Sequence, residues 1–562
     1  MNTPSKPFTL SGQVVDVVAG TIYPATITIS NGRILSVQPA EKAGNRYILP
    51  GLIDAHVHIE SSMLLPSEFA RLAVVHGTTG TVSDPHEIAN VLGMDGVRFM
   101  MRNGQKVPFR FTFGAPSCVP ATPFETSGAS LGPGEVEEML SWPEIGYLSE
   151  MMNYPGVLNG DAGVMAKLNA AAKAGKPVDG HAPGLLGEDA ARYASAGIST
   201  DHECFTLEEA IDKIGAGMKV LIREGSAARN FEALSRLLHT HPGMVMFCSD
   251  DKHPDDLIKG HINLLVKRAL QMGYNFMDVV RACTLNPVKH YNLDAGLLQT
   301  GDPADFILVD NLSDFNVLET YVGGRKVAEN GVSLIEREEE KEPNHFNALS
   351  VTPDMLLVPA LGTHIRVQSA SDGQLITEAV VKKALVVDGF VVSDPKRDIL
   401  KILVMNRYQP APPAIGFVSG IGLKHGALAS TVAHDSHNII AVGVDDTSIA
   451  RAVAMITEAR GGIACVEGPD PAFDKAVLLP LPVAGIMSGD DGYTVAESYS
   501  KINEMSKRLG TKLEAPFMTL SFMALLVIPS LKLSDKGLFD GDAFRFTSLF
   551  ASEMETEAGR TS

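Results

Sequence analysis

Short apolar runs broken by glycine and asparagine characterise the first 50 residues. Three such runs occupy residues 13–18, 26–30 and 33–37. Strands of this length separated by turn residues are typical of a sandwich. The same pattern returns at 296–310 and 316–334. We therefore predict a small β-sandwich domain built from both flanks, residues 1–50 plus 296–335.

From residue 48 onward, strand-like runs alternate with apolar-periodic segments of roughly 10–20 residues, the pattern of βαβ units and a parallel sheet. The predicted strands are residues 49–58, 80–84, 109–115, 145–151, 177–181, 198–202, 218–224 and 245–250. Helical segments include residues 66–76, 162–174, 187–196 and 255–272. Eight units in about 240 residues match the size of a TIM barrel. We predict a (β/α)₈ TIM-like barrel over 51–295, with an open doubly wound sheet as the alternative.

A charged run separates the predicted barrel from the rest of the chain. The run EREEEKEP, residues 336–343, is typical of a solvated linker. Residues 345–562 beyond it are predicted to form a separate α+β domain. Within that region, residues 515–531 are apolar and almost uncharged, but Pro529 interrupts them and serine and threonine lie among them. This predicts a buried helix or strand rather than a membrane span.

Composition restricts the class of partner. Apolar residues make up 45% and charged residues 20% of the chain, the balance of a globular protein rather than a disordered one. The net charge is −19, and no stretch concentrates lysine and arginine. We therefore expect no nucleic-acid partner and no membrane partner, which leaves a small molecule.

The cysteines and the first residues of the chain indicate in which cellular compartment the protein is expected. The five cysteines are widely spaced, odd in number and without a CxxC pair. This argues for reduced thiols and against a cysteine zinc site. The start MNTPSKPFTLSGQ has one lysine and no apolar segment of the kind found in secretory signals. We expect a cytoplasmic protein.

Two histidines at the end of the first predicted parallel strand are the first sign of chemistry. In the motif DAHVH, His56 and His58 share one face because strand side chains alternate. At the carboxyl end of a barrel strand they would face the mouth, where active sites of this fold lie. Paired imidazoles fit a dry core poorly unless their nitrogens are satisfied, although two ordinary core or surface histidines remain an alternative from this motif alone.

Metal-type ligands recur at four further strand ends. Any one of them alone is more often a cap or turn residue, but together they combine suitable residue types with suitable positions. Four histidines and two carboxylates suit two divalent cations that share a bridging group. The four additional candidates are Glu150, His181, His202 and Asp250.

These motifs resemble a known superfamily. PGLIDAHVHIESSM, followed by single His, His and Asp residues at later strand ends, resembles the amidohydrolases. More narrowly, SDPHEIANVLG, DGHAPGL, TDHE and CSDD resemble the bacterial adenine deaminase family, as does VAHDSHNIIAVGVDD at 432–446. The resemblance therefore spans nearly the whole chain. HxH is common to many amidohydrolases, whereas DPHEIANV and AHDSHN are more specific.

The resemblance implies a set of metal ligands. His56 and His58 would bind one cation, and His181 and His202 the other. Glu150 takes the place where many relatives have a carboxylated lysine, and its carboxylate can bridge two cations without carbon dioxide. The resemblance implies manganese or iron(II). Zinc stays an alternative because the ligand types do not choose among the three metals.

Further roles follow from the same resemblance. Asp250 would bind metal and act as the catalytic base. Asp84 and Glu87, in DPHE, would lie at the second strand's end, with Glu87 assisting proton transfer and Asp84 contacting substrate; the same residues also form an ordinary helix start. His434 and His437, in HDSH, would close over the pocket and contact substrate, bind metal, or stabilise a turn.

The activity implied is deamination of adenine to hypoxanthine by a metal-activated hydroxide. A divalent cation lowers the pKa of bound water from about 15.7 to about 7, and a carboxylate shuttling the proton is worth about 10²–10⁴ in rate. The cytidine-deaminase class is excluded because no PCxxC motif is present and His86 and Glu87 are adjacent, without the intervening residue of that class's H-x-E motif. Two alternatives remain: another amidohydrolase acting on a cyclic amide or N-acetyl group, and a non-catalytic ligand-binding barrel. We also expect a homo-oligomer, in the simplest case a dimer.

Overall fold

Strands from both flanks of the chain pair in one eight-stranded sheet. The computed structural model describes residues 7–468 and 476–551. In sheet order, the strands are Val332–Ser333, Arg325–Glu329, Val317–Val322, Phe306–Val309, Tyr47–Pro50, Phe8–Asp16, Thr21–Ser30 and Arg33–Pro39. Four of these strands precede the parallel strands in sequence and four follow them, and the two sets pair directly because Tyr47–Pro50 is antiparallel to Phe306–Val309. Tyr47–Pro50 is also parallel to Phe8–Asp16. The predicted strands of both flanks are therefore present in a single sheet.

The middle of the chain forms parallel strands, as predicted. One sheet has five, Leu52–Val57, Thr78–Ser83, Arg110–Ala115, Ile145–Met151 and Val178–Gly180. A second sheet has three, Thr200–Asp201, Lys219–Arg223 and Val245–Cys248. Two isolated parallel bridges, Val57–Asp250 and Val178–Ile198, lie between the outer strands of the two sheets. Every strand predicted in this segment has a counterpart with bounds at most three residues from the predicted ones, although the first is only part of a longer predicted run.

Helices follow most of these strands. Their bounds are Pro66–Ala73, His86–Leu92, Met94–Gly104, Pro133–Leu140, Tyr154–Asn159, Ala162–Ala174, Gly187–Ser195, Leu207–Gly215, Phe231–Leu234, Leu237–Thr240, Pro254–Leu257, Ile262–Gln271, Phe276–Ala282 and Leu285–Tyr291. Ala162–Ala174 matches its predicted bounds because local signals define both ends. The Asp161 side chain accepts a hydrogen bond from the Val164 N–H at 2.9 Å, and Gly175 ends the helix with φ 65°.

The first predicted strand, residues 49–58, is wrong as a single element. It is divided at Gly51 into Tyr47–Pro50, which joins the flank sheet, and Leu52–Val57, which pairs in parallel with Thr78–Ser83. A Cβ at Gly51 would lie 2.1 Å from Thr79 Oγ1. Glycine is therefore required where the chain passes from one sheet to the other.

The predicted helix at 255–272 is also wrong as a single element. It forms two helices, Pro254–Leu257 and Ile262–Gln271, because His261 has a non-helical backbone, with φ −131° and ψ −134°. The His261 side chain is buried, with Nε2 2.8 Å from Asp54 Oδ2 and Nδ1 2.7 Å from Thr78 Oγ1. A tertiary contact thus overrides a continuous helical pattern.

The region after the linker contains a second, largely antiparallel eight-stranded sheet. In sheet order, its strands are Glu378–Lys383, His364–Ser369, Ala414–Ser419, Leu400–Met405, Ile439–Gly443, Ala427–Ser430, Gly462–Val466 and Ala476–Pro480. Two small sheets add the strands Val358–Pro359, Phe390–Val392 and Leu385–Val387, and Leu531–Ser534, Gly537–Asp540 and Arg545–Phe546. The helices are Asp446–Glu458, Gly492–Arg508 and Pro516–Phe522.

The two regions pack against each other. Arg71, on a helix of the parallel region, donates a hydrogen bond to Asp491 at 2.8 Å, and Glu68 accepts one from the Gly492 N–H at 2.9 Å. The Gly492 Cα approaches so closely that an added Cβ would lie 2.7 Å from Leu72. This contact fixes the later region over the parallel strands.

The apolar run at 515–531 contains the buried helix Pro516–Phe522 and ends where the strand Leu531–Ser534 begins. No described helix combines the length and apolar character needed to cross a membrane. All five cysteines are buried and unpaired, as predicted for reduced thiols.

Candidate functional site

His56 and His58 point into a buried cluster from the end of the strand Leu52–Val57. His58 Nδ1 lies 3.2 Å from the Asp84 carbonyl oxygen, and this contact orients the ring. Its Nε2 then lies 3.2 Å from His56 Nε2. The carbonyl contact favours the tautomer with the proton on Nδ1, which leaves the Nε2 lone pair free to bind a cation.

The Glu150 carboxylate lies between two pairs of histidines. Its Oε1 is 3.6 Å from His58 Nε2 and 3.5 Å from His86 Nδ1. Its Oε2 is 2.8 Å from His181 Nδ1 and 3.1 Å from His202 Nε2. Burial raises the pKa of Glu150, but the nearby histidines outweigh it and hold that pKa well below its usual range. The carboxylate is therefore ionised, with one oxygen directed to each pair.

Asp250 closes the cluster from the far side. Its Oδ1 lies 3.2 Å from His58 Nε2 and 3.6 Å from His56 Nε2. Its backbone has φ 54°, a left-handed conformation that is uncommon outside glycine. The Asp250 N–H donates to the His56 carbonyl at 2.9 Å, and its own carbonyl accepts from the His58 N–H at 3.3 Å. These bonds hold the strained backbone and aim the carboxylate inward.

A fully buried arginine neutralises part of this charge. Arg223 donates to Asp250 Oδ2 at 2.7 Å and contacts both carboxylate oxygens of Glu203. Burial raises the pKa of Asp250, but Arg223 and the neighbouring histidines lower it to well below its usual range. Asp250 thus remains an anion in a water-poor interior.

Glu87 is held by two histidines of the later region. It lies on the helix His86–Leu92, and its two oxygens make short contacts with His434 Nδ1 and His437 Nε2. Burial raises the pKa of Glu87, but these histidines hold it well below its usual range. Burial lowers the pKa of His434, but Glu87 outweighs this effect and raises it to about 9. His434 is therefore protonated and forms an ion pair with the Glu87 carboxylate.

A second layer of hydrogen bonds fixes the strand ends. The Asp54 carboxylate accepts from the Ser249 N–H at 3.0 Å and from the His56 N–H at 3.3 Å, and it lies 2.8 Å from His261 Nε2. Asp54 therefore links the strand that carries His56 to the strand that precedes Asp250. Outer partners of this kind commonly orient metal ligands.

All the site residues predicted from the sequence lie in this neighbourhood, but they do not share one surface. The cavity is lined from the parallel region by His58, His86, Glu87, Glu150, Met152, His181, His202, Glu203, Arg223, Asp250 and Asp251, and from the later region by Leu375, His434, Asp435, Phe522 and Leu525. His56, Asp84 and His437 do not line it. Asp84 lies behind His86, with Oδ2 3.3 Å from His86 Nδ1, and His437 lies behind Glu87.

Five ionisable residues of the cavity were not among the predicted site residues: His86, Glu203, Arg223, Asp251 and Asp435. His86, Glu203 and Asp435 lie inside the quoted motifs DPHE, TDHE and HDSH. Treating every ionisable residue of these motifs as a candidate would have found these three. Arg223 has no local signal, since one arginine in a strand is unremarkable until its burial is known.

The cluster is suited to divalent cations. Several buried ring nitrogens have no hydrogen-bond partner within the described residues: His56 Nδ1, His86 Nδ1, His86 Nε2 and His181 Nε2. Unpaired polar groups of this kind are costly. Ligand atoms lie within 4.8 Å of one another in several groups, including His56, His58 and Asp250; His56, Glu150 and His202; and His181, His202 and Glu203. Imidazole and carboxylate donors in such groups fit manganese, iron or zinc.

Known proteins match both regions of the chain. The amidohydrolase family matches residues 47–327, and the adenine deaminase C-terminal domain matches residues 374–545. The chain is 55% identical over 545 residues to an adenine deaminase of Salinibacter ruber (strain DSM 13855 / M31), an alignment that covers 97% of this chain and 99% of the relative.

Relatives from two other organisms show similar identity and coverage. Identity is 52% over 539 residues with an adenine deaminase of Sulfurovum sp. (strain NBC37-1), covering 96% of this chain and 98% of the relative. It is 52% over 553 residues with an adenine deaminase of Methanosarcina acetivorans, covering 96% and 99%. Since this similarity extends over almost the full length of each relative, the chain belongs to the adenine deaminase family of the amidohydrolases.

Proposed function

We propose that the protein hydrolyses adenine to hypoxanthine and ammonia. The observation that carries the proposal is one cavity in which buried histidines and carboxylates able to hold cations lie beside Glu87, a carboxylate paired with protonated His434. Hydrolytic deamination needs both parts, one to activate water and one to protonate the ring. Family membership at about half identity over the full chain supports adenine as the substrate.

We propose three domains and a closed barrel. The parallel strands would form one (β/α)₈ barrel over 51–295, supported by the bridges Val57–Asp250 and Val178–Ile198 between the two parallel sheets. The flank sheet would be the small β domain of 1–50 plus 296–335. Residues 345–562 would form the C-terminal α+β domain. The site lies at the carboxyl ends of the parallel strands, which agrees with catalysis in barrels of this type.

Two divalent cations would complete the site, with manganese or iron(II) favoured and zinc as the alternative. His56, His58 and Asp250 would hold one cation, and His181 and His202 the other. Glu150 would lie between the two sets, because one of its oxygens faces His58 and the other faces His181 and His202. When bound, such cations supply water that ionises near pH 7 rather than near about 15.7.

The protein side chains would move the protons. Asp250 accepts a proton from the attacking water as its oxygen adds to the ring carbon that carries the amino group. The adjacent ring nitrogen receives a proton that His434 supplies through the Glu87 carboxylate. The bond to the exocyclic nitrogen then breaks, and Asp250 returns its proton to the departing ammonia. As the new hydroxyl becomes the carbonyl of hypoxanthine, its proton returns to the Glu87–His434 pair. Adenine and water thus give hypoxanthine and ammonia with no other reactant.

The predicted substrate contacts divide into two kinds. His434 lines the cavity and can contact the base directly. Asp84 and His437 lie one layer behind and would act by positioning His86 and Glu87. We also propose that the protein is a cytoplasmic homodimer. Light scattering of the purified protein would test the dimer by measuring its molecular mass.

Ammonia release tests the function. Metal-loaded protein is mixed with adenine, other aminopurines, cyclic amides and N-acetyl compounds in parallel, and adenine is expected to give the highest kcat/KM. A clear preference for a cyclic amide or N-acetyl compound, or no turnover of any of them, would overturn the proposal.

A Glu150→Gln variant tests the bridge. It keeps the shape but removes the anion, so metal content and activity should fall together. Glu60→Gln is the control, since Glu60 is buried nearby and accepts from the Ile88 N–H at 3.2 Å, and among the described residues no histidine forms a hydrogen bond or ion pair with it. Since Glu150 already carries the charge, bicarbonate during expression should change neither readout. Glu150→Gln protein that binds both metals but is inactive would indicate proton transfer instead, and full activity would remove Glu150 from the site.

A further inference from the structure

The cavity has a charged floor and an apolar roof. Ionisable side chains of the parallel region form the floor, whereas Leu375, Phe522 and Leu525 of the C-terminal region lie opposite. These three side chains are at most 5% exposed. A purine base has polar edges and apolar faces. When a polar edge of the base meets the charged floor, an apolar face of the base must therefore lie against other groups of the cavity.

We propose, on the basis of the proposed function, that this roof binds the face of the purine ring and that Lys532 is the residue that positions it. Phe522 is the central member of the roof. Its ring stacks on His434 with centroids 5.1 Å apart and planes inclined by 27°. Because His434 also contacts Glu87, the roof and the proton donor are parts of one stacked unit.

Lys532 is attached to the roof by two hydrogen bonds. It lies on the strand Leu531–Ser534 and is fully buried. Its Nζ donates to the Leu375 carbonyl at 2.8 Å and to the Phe522 carbonyl at 3.0 Å. No carboxylate within the described residues forms an ion pair with it. Burial lowers the pKa of Lys532 to about 7.

A buried lysine without an anion is an expensive residue to keep. Both of its partners are main-chain carbonyls of residues whose side chains line the cavity. Lys532 therefore joins two segments that are far apart in sequence, Leu375 and the end of the helix Pro516–Phe522. The position of these two segments relative to each other sets the shape of the roof. A role in shaping the surface that holds the base explains why a lysine is buried there despite the energetic cost.

Gln368 reinforces the same junction. Its Nε2 donates to the Met523 carbonyl at 3.0 Å and to the Leu531 carbonyl at 3.2 Å. The Leu533 N–H also donates to the Met523 carbonyl, at 3.1 Å. The turn after Phe522 is thus bonded to the strand that carries Lys532. The roof is consequently a braced surface rather than a free loop.

Lys532→Met tests the positioning role. Methionine fills the space without the two hydrogen bonds. We expect KM for adenine to rise about 5-fold or more, since stacking of one base on an aromatic ring is worth about 1–3 kcal/mol, while kcat changes less than about 3-fold. Metal content should be unchanged, but EDTA should extract the metal faster because the covering surface has loosened.

Lys176→Met is the matched control. Lys176 Nζ also bridges two carbonyls, those of Leu140 and Trp142 at 2.7 and 3.0 Å, but neither residue lines the cavity. Its KM and metal extraction rate should equal those of the unaltered protein. Phe522→Leu provides a second variant should Lys532→Met fold poorly, and it should also raise KM with little change in kcat.

The outcomes separate this inference from the proposed function. If the unaltered protein does not deaminate adenine, the function fails, and the EDTA extraction rate still decides whether Lys532 braces the roof. If adenine is deaminated but KM, kcat and extraction are unchanged in both Lys532→Met and Phe522→Leu, the roof has no part in binding. Equal loss of kcat and stability, with KM unchanged, would likewise overturn the positioning role.

Discussion

Replacing Arg223 with methionine should shift the pH dependence of catalysis. Arg223 Nη1 lies 2.7 Å from Asp250 Oδ2, and both side chains are buried. Two unit charges about 4 Å apart interact by about 4 kcal/mol at an effective dielectric constant of about 20. Bound cations would reduce this interaction but not reverse it, so we expect the pKa of Asp250 to rise when Arg223 is removed.

The direction follows from the role of Asp250. A carboxylate base acts when ionised, so activity is present above its pKa and lost as the pH falls through it. Removing Arg223 raises that pKa and therefore moves the acid limb of the kcat/KM profile to higher pH. The variant also leaves Glu203 and Asp250 without their partner, which should cost about 3–5 kcal/mol in free energy of unfolding.

The assay is ammonia release between pH 4 and 9 at matched metal content, together with thermal denaturation. Arg223→Lys is the control, because lysine keeps the positive charge and loses only the forked geometry. Its acid limb should move less than that of Arg223→Met. A folded, metal-loaded Arg223→Met protein whose acid limb does not move would refute the electrostatic role and leave Arg223 a purely structural residue.

Three further experiments test the roles of individual residues. His58→Ala should lose one of two cations and most of the rate, and metal analysis that finds no cation in the unaltered protein would contradict the binuclear site. Asp250→Asn should abolish turnover in a folded protein while Asp251→Asn does much less; the reverse pattern would exchange their roles. Glu87→Gln should lower kcat by about 10²–10⁴ with metal content retained, and ammonia release near the original rate would exclude proton transfer by Glu87.

Local patterns were sufficient where both ends of an element carry their own signals. The strand Ile145–Met151 and the helix Ala162–Ala174 were predicted with their exact bounds. The predicted helix at 255–272 failed because His261 is drawn out of helical geometry by Asp54, a residue 207 positions earlier. No window of sequence around His261 contains that information.

The site residues, too, could be predicted only where a local pattern marks them. Strand-end ligands such as His58 and Glu150 could be predicted because parallel strands place their carboxyl ends together. His86 was missed because Asp84 and Pro85 mark a helix start, and the helix does begin there. That the first residue of this helix also faces Glu150 at 3.5 Å depends on how the helix packs. Asp435 reaches the cavity only through contacts between regions, which local patterns do not encode.

The contact between Glu87 and His434 spans 347 residues and so bears on the biosynthesis of the protein. At about 5–20 residues per second, roughly 20–70 s separate the emergence of these two side chains from the ribosome. In the later part of that interval, once Asp250 has emerged, the nascent chain contains every proposed metal ligand, yet Glu87 lacks its histidine partners of the later region and the Phe522 side of the cavity does not exist. Cation capture can therefore precede catalytic competence, and the nascent site is exposed to whichever divalent ion is most available in the cell.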